Sequence, residues 1–330
     1  MTRNLKEFVN QTALQPTTDE GYGAGHVAVL LAHYNGGPHF EEQLRSLSGQ
    51  SHQDWSLIVS DDGSSDAWLE TAASFAASEP DRRVWLMNGP QQGFARNFLS
   101  LLAIAGPSVP HIAFCDQDDV WLPTKLGTAV AALADLRPGL PAIYCGRTTI
   151  CDQQLTPSGP SPCFRKPPGF ANALTQNIGG GNTMVLNRAA IDLVQDTLQH
   201  AQNAVSHDWW CYQLVTGAGG RVIYDTKPHV LYRQHDGNRI GANASLLAKL
   251  RRLRALLSGE FRAWNDKNLD ALRKCSHWLT PDARDVLTRF DAARQERLLS
   301  RIAALKASGV HRQTASGQIA LWLACLLKKL

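Results

Sequence analysis

Val27-Ala28-Val29-Leu30-Leu31-Ala32, followed by His33-Tyr34-Asn35-Gly36-Gly37 and then Pro38, is the stretch on which the fold turns. An unbroken apolar run reads as a strand covered on both faces. The polar, glycine-bearing segment after it reads as a loop, and Pro38 opens a segment whose Phe40, Leu44 and Leu47 recur at helical spacing. The same order returns in Trp55 to Ser60, then Asp61-Asp62-Gly63-Ser64-Ser65, then a helix from about Asp66 to Ser78. A short strand Arg83 to Met87, a helix Gly93 to Ala105, a strand His111 to Cys115, a helix Pro123 to Leu136 and a strand Ala142 to Cys145 extend the alternation. Such a pattern specifies the α/β class: a mostly parallel, Rossmann-like sheet with helices on both faces.

Leu155 to Pro168 carries prolines at 157, 160, 162, 167 and 168 and is expected to lack regular structure. After it come Gly179-Gly180-Gly181, a strand Thr183 to Leu186, helices from Ala189 to about Gln199 and from near Asp208, and strands Arg221 to Tyr224 and Val230 to Arg233. From Ser245 the pattern becomes helical, with Leu246, Leu250, Leu253 and Leu257 on one face. The chain therefore divides into an N-terminal extension (1–25), a main α/β domain (26–242) and a C-terminal helical region (243–330) that is basic and amphipathic.

The bulk properties exclude several classes. With 330 residues, 44% of them hydrophobic and 19% charged, the chain has the make-up of a globular protein. Residues 1–245 hold 16 Lys/Arg and 22 Asp/Glu (−6), whereas 246–330 hold 17 and 7 (+10), so the net +4 belongs to the tail. The acidic main domain opposes nucleic-acid binding. The seven cysteines are odd in number and contain no CxxC pair, which fits a reducing cytoplasm and disfavours zinc. No signal sequence is legible at Met1 to Gly25, and the apolar run Ile319 to Leu327 would make a helix of only ~14 Å against a bilayer core of ~30 Å. The expected location is cytoplasmic, with the tail either resting on the inner face of the membrane, packing on the main domain as a lid, or making an oligomer contact.

In an open parallel sheet, ligands gather beyond the carboxyl ends of the strands. Asp61 and Asp62 follow one strand there, and Asp116, Asp118 and Asp119 follow another. The first pair could serve a base or ribose, although Asp-Gly sequences are also ordinary turns. The second group crowds like charges with no Lys or Arg nearer than Lys125, so a divalent cation bridging to a diphosphate is the favoured reading. Asp208 is placed to take a proton from an attacking hydroxyl, or to cap a helix. Arg96 and Asn97 open a helix just after Gly93, where a phosphate contact is an alternative to plain surface exposure. His235 could ligate a metal or phosphate, or be a solvated loop residue.

The ordered set Ala32-His33-Tyr34-Asn35, Ser60 to Asp66, Gly93-Phe94-Ala95-Arg96-Asn97-Phe98, Phe114-Cys115-Asp116-Gln117-Asp118-Asp119-Val120-Trp121, His207-Asp208-Trp209-Trp210 and Leu231-Tyr232-Arg233-Gln234-His235 resembles the family 2 glycosyltransferases of the GT-A fold, over roughly residues 26–242. Within them it is most like bacterial rhamnosyltransferases that use dTDP-L-rhamnose. The resemblance implies a nucleotide-sugar donor (dTDP- or UDP-linked), a saccharide or lipid-linked acceptor, Mg²⁺ or Mn²⁺, and inversion at the anomeric carbon. It assigns Tyr34 and Asp62 to the base, Asp116 to the first acid of the DxD motif near the ribose, Asp118 to the metal, Asp208 to the catalytic base and His235 to a metal or phosphate. Ala32 departs from the usual Thr or Ser, and the QxxRW motif of processive members is absent.

Three rivals fare worse. A nucleotidyltransferase should carry a basic glycine-rich loop after the first strand, and His33 to His39 has no Lys or Arg. A non-catalytic sugar-binding module would not need both the acidic group and Asp208. In a dinucleotide dehydrogenase the glycine motif should follow the first strand, but Gly21-Tyr22-Gly23-Ala24-Gly25 precedes it.

Overall fold

A computed structural model describes residues 21–234 and 258–330. His235, residues 1–20 and the amphipathic stretch Leu246 to Leu257 lie outside the described residues. The elements before the acidic loop are β1 (Val27–His33), α1 (Pro38–Ser48), β2 (Trp55–Asp61), α2 (Trp68–Ser78), β3 (Val84–Asn88), α3 (Phe94–Ile104) and β4 (His111–Asp116). Then come β5 (Val120–Trp121), α4 (Lys125–Ala134), β6 (Ala142–Gly146), β7 (Thr149–Cys151), β8 (Pro157–Pro160) and α5 (Phe170–Ala173). The remainder comprises β9 (Val185–Asn187), α6 (Arg188–Thr197), α7 (His207–Gly217), β10 (Arg221–Asp225), β11 (Val230–Arg233), α8 (Glu260–Lys274), α9 (Pro281–Gln295), α10 (Leu298–Ser308) and α11 (Ala315–Leu326).

The main sheet has seven strands in the order β10-β6-β9-β4-β1-β2-β3. β1 lies parallel between β2 and β4, while β9 runs antiparallel between β4 and β6. Both faces of β1 are buried, as its sequence requires. Val27, Val29 and Leu31 pack into a core shared with α1, α2 and α4, and Ala28 and Leu30 into a second core shared with α3, α6 and α7. Each fully buried Val or Leu contributes roughly 1.5–3 kcal/mol by leaving water, so the central strand is a principal anchor of the sheet. Its register pairs His33 with Asp61 and Ala32 with Asp116. Three ligand-capable segments thus leave the sheet side by side at one edge.

A second sheet, β5-β11-β7-β8, flanks that edge. It corrects one expectation: the proline-rich segment contains the strand β8, at the margin of the sheet, with Pro157 and Pro160 as its first and last residues. An edge strand tolerates proline because one row of its backbone groups has no ladder partner.

The C-terminal helices pack on the main domain. Leu269, Leu272, Leu287, Phe290 and Leu321 join the same core as Ile112 and Phe114. The backbone oxygen of His311 accepts from Asn172 Nδ2 at 3.0 Å and Thr175 Oγ1 at 2.8 Å, and the Gln313 side chain is bonded to the backbone of Lys166. Thr280 and Thr314 cap α9 and α11 by accepting from the backbone N–H groups of Ala283 and Gly317. No helix among the described residues is long and apolar enough to cross a membrane.

Candidate active site

Two loops at the carboxyl edge are organised by side chains that substitute for backbone. Asp61 closes its own turn, accepting from the N–H groups of Gly63 at 3.2 Å and Ser64 at 3.0 Å. Burial alone would raise its carboxyl, but hydrogen bonds from His33 and Ser64 outweigh that and hold it below the usual carboxylate range. Asp62 reaches the next loop and accepts from Gly93 N at 2.6 Å and Gln92 N at 3.3 Å. Gly93 has φ +90°, a conformation that suits glycine, so its N–H can meet the carboxylate as α3 begins. Arg96, in the first turn of that helix, donates from Nε to Gln92 Oε1 at 3.2 Å, while its Nη1 is buried without a hydrogen-bond partner among the described residues.

The Tyr34 ring is exposed, yet its backbone is held on both sides by Gln117. The Tyr34 N–H donates to Gln117 Oε1 at 2.5 Å, and Gln117 Nε2 donates to the Tyr34 carbonyl at 2.8 Å.

The acids after β4 separate into different environments. Asp119 is fully buried, accepting from Asn182 Nδ2 and, at 3.3 Å, from the Arg233 N–H. Asp116 and Asp118 remain partly exposed. Burial first, then the charges of Asp118 and Asp208, push Asp116 up to about 8, with Lys125 pulling the other way. That influence places Asp208 within electrostatic reach of Asp116, although the two come from distant parts of the chain. Lys125 is buried beneath the acids with its Nζ 3.3 Å from the centre of the Trp121 ring. Burial pushes its ammonium down to about 7 against the attraction of Cys115, Asp119 and Asp116.

The triglycine segment joins the two halves of the site. Gly181 N donates to Asp208 Oδ2 at 3.0 Å, and the next residue, Asn182, donates to Asp119. Asn177 Nδ2 adds a second bond to Asp208 Oδ2 at 2.8 Å, and Trp209 N donates to Oδ1 at 2.7 Å. Side chains are excluded from this turn by close approach: a Cβ on Gly180 would lie 2.6 Å from Asn182 Oδ1, and one on Gly181 2.6 Å from His207 Nε2. Asp208 sits in the first turn of α7, and Ser206 holds the cap position without a side-chain cap bond. The capping alternative for Asp208 therefore falls away, since its carboxylate holds the triglycine turn.

Several organising residues were not singled out in the sequence. Arg233 is only 2% exposed, and its guanidinium donates to the backbone oxygens of Asp118 (3.0 Å) and Gln153 and to the Glu42 carboxylate. His207 is stacked on Phe98 with ring centres 3.9 Å apart and meets Phe114 edge-on, and neither ring nitrogen has a hydrogen-bond partner among the described residues. Burial pushes its imidazole down to about 4. Above pH ~6.5 the ring is neutral in both folded and unfolded chains. Below that the unfolded chain takes up a proton that the folded one refuses, so stability falls by about 3 kcal/mol by pH ~4. In urea titrations the stability of wild type relative to His207→Leu should drop by that amount over this window; a constant difference would contradict a caged neutral imidazole.

A mixed sheet with this strand order, and with acids gathered at the carboxyl edge of its parallel strands, is the GT-A architecture. Residues 28–191 match the profile of Glycosyl transferase family 2, and the chain belongs to that family. It is similar to the dTDP-rhamnosyl transferase RfbG of Shigella flexneri, 29% identical over 254 residues, which cover 73% of this chain and 84% of RfbG. A shorter similarity, 27% over 169 residues, covers 50% of this chain and 62% of the UDP-Glc:α-D-GlcNAc-diphosphoundecaprenol β-1,3-glucosyltransferase WfgD of Escherichia coli. Among solved structures, S. aureus TarS (residues 1–349) in complex with UDP-GlcNAc superposes with a TM-score of 0.50 at 13% identity, covering 86% of this chain and 80% of that one, a likeness of fold.

Proposed function

We propose that this glycosyltransferase moves L-rhamnose from dTDP-L-rhamnose to a hydroxyl of a saccharide acceptor, lipid-linked, in the building of a bacterial surface polysaccharide, with inversion at the anomeric carbon. The observation that carries the reading is the joining of the acids after β4 to Asp208 through the single turn Gly181-Asn182. Similarity to RfbG over most of both chains favours the dTDP-rhamnose donor. The name of WfgD favours an acceptor on a diphosphate-linked lipid.

In this reading Tyr34 and Asp62 receive the base, Asp116 the ribose, and Arg96 the phosphates, where its orphaned Nη1 finds an acceptor. Asp208 accepts the proton of the acceptor hydroxyl as that oxygen attacks the anomeric carbon from the face opposite the departing nucleotide. Its three N–H partners fix the carboxylate in orientation before the acceptor arrives.

The donor set suits a hard divalent cation, Mg²⁺ or Mn²⁺. Burial first, and then the neighbouring carboxylates, raise Asp116, and oxygen ligands predominate. Among the described residues no three His, Cys, Asp or Glu side chains converge on one point, so a cation at Asp118 would complete its shell from donor phosphate and water. Bound there it would neutralise charge on the leaving diphosphate.

Thermal unfolding with dTDP-rhamnose, UDP-glucose, UDP-GlcNAc and GDP-mannose, each with and without Mn²⁺, tests the reading. A donor at a hundredfold its Kd stabilises by about 2.7 kcal/mol. The largest rise in Tm is expected with dTDP-rhamnose plus Mn²⁺. A rise only with a UDP-sugar would replace the donor, and no rise with any would remove the donor site.

A further inference from the structure

α10 and α11 pack inward with one side and present the other to solvent as an apolar patch. On α11, Leu321, Ala324 and Cys325 are buried, while Ile319 is 62% exposed and Leu323, Leu326 and Leu327 are exposed with it. Ile319, Leu323 and Leu326 recur at helical spacing and so share one face. On α10, Leu299 is 82% exposed and Leu298 is also exposed. A bond of 3.5 Å from Arg301 to the Leu326 carbonyl sets the start of α10 beside the end of α11, which brings these residues into one patch.

The charges around it are unbalanced in one direction. Asp266, Asp270, Asp285 and Asp291 are engaged by Arg294, Lys274, Arg289 and Arg273. Arg297, Lys306 and Lys328 have no carboxylate partner among the described residues. Arg297 directly precedes the exposed leucines, Lys306 lies two turns from Leu299 on the same face, and Lys328 follows Leu327. Arg262 donates to the Lys328 carbonyl at 3.3 Å and adds a further cation at that end. The exposed acids Glu260 and Glu296 border the patch in sequence and leave the balance positive.

We propose that this patch docks on an anionic lipid surface, its leucines and isoleucine entering the acyl boundary while Arg297, Lys306 and Lys328 meet headgroup phosphates. A second copy of the chain fits less well. A two-fold contact would set the patch against itself and oppose like-charged rims. The inference rests on this surface and not on the identity of the donor, and its test reads binding instead of transfer.

Flotation of the full chain with vesicles of phosphatidylcholine alone, or of phosphatidylcholine with 30% phosphatidylglycerol by design, separates the outcomes. Binding is expected to the anionic vesicles, about tenfold weaker to the neutral ones and weakened by 0.5 M NaCl. Ile319→Ser/Leu323→Ser and, separately, Lys306→Glu/Lys328→Glu should each reduce binding about tenfold with unchanged circular dichroism melting. Flotation insensitive to both pairs overturns the proposal, as does no flotation at all. So does a concentration-dependent dimer in sedimentation that Ile319→Glu dissolves, which would assign the patch to a second copy.

Discussion

Asp208→Asn is expected to lower kcat by about 10²- to 10⁴-fold while donor affinity changes little. The substitution keeps size and shape. Its remaining carbonyl oxygen can take the place of Oδ2 and keep the bonds from Asn177 and Gly181, leaving the contact to Trp209 N as the one bond lost. That loss costs about 1 kcal/mol of stability, too little to unfold the chain. The amide cannot accept the acceptor's proton, so chemistry fails where binding persists. Calorimetric titration with the donor and a separate rate measurement with saturating acceptor distinguish the two. Turnover equal to wild type would remove Asp208 from the role of base.

Arg233→Met should cost about 3 kcal/mol of stability, at the low end for breaking a buried ion pair because Glu42 can turn to water. The carbonyl oxygens of Asp118 and Gln153 would lose their donor in a buried setting. Arg233→Lys separates fork from charge. A compact ammonium cannot span Asp118, Gln153 and Glu42 together, so part of the anchoring is lost although the charge remains. With the acidic loop loosened, the KM for donor is expected to rise about tenfold or more in both variants, with kcat less affected. A lysine variant with wild-type KM and melting temperature would show that the loop needs no such anchor.

The strands were legible because parallel strands covered on both faces are dominated by apolar residues. Val27 to Ala32 and Trp55 to Ser60 each gained one residue at the carboxyl end, His33 and Asp61, both polar residues that enter the site. Of the small second sheet only β11 was legible, as Val230 to Arg233, and its other strands escaped notice for the opposite reason. β5 and β7 span two and three residues, too few to show a period, and β8 is bounded by prolines that read as loop. In the site, the acids at strand ends stood out because charge there is costly without a partner. Gln117, Asn182, His207 and Arg233 did not, since each acts on atoms supplied by remote segments. Arg233 lay within the motif Tyr232-Arg233-Gln234-His235, but nothing in the local sequence says that its guanidinium turns back to the acidic loop.

Gln117 gives the mouth of the site a property beyond its contacts. The side-chain amide meets both the N–H and the carbonyl of Tyr34, as a neighbouring peptide would, just past the last paired residues Ala32 and Asp116. The sheet is in effect prolonged into the loop by a prosthetic rung made from a side chain. Entropy that a ligand would otherwise have to remove from this loop is lost during folding instead. The aromatic ring beyond the rung still projects to solvent, so an exposed side chain stands on a backbone already fixed by folding, and a base bound as proposed would have no loop to order there.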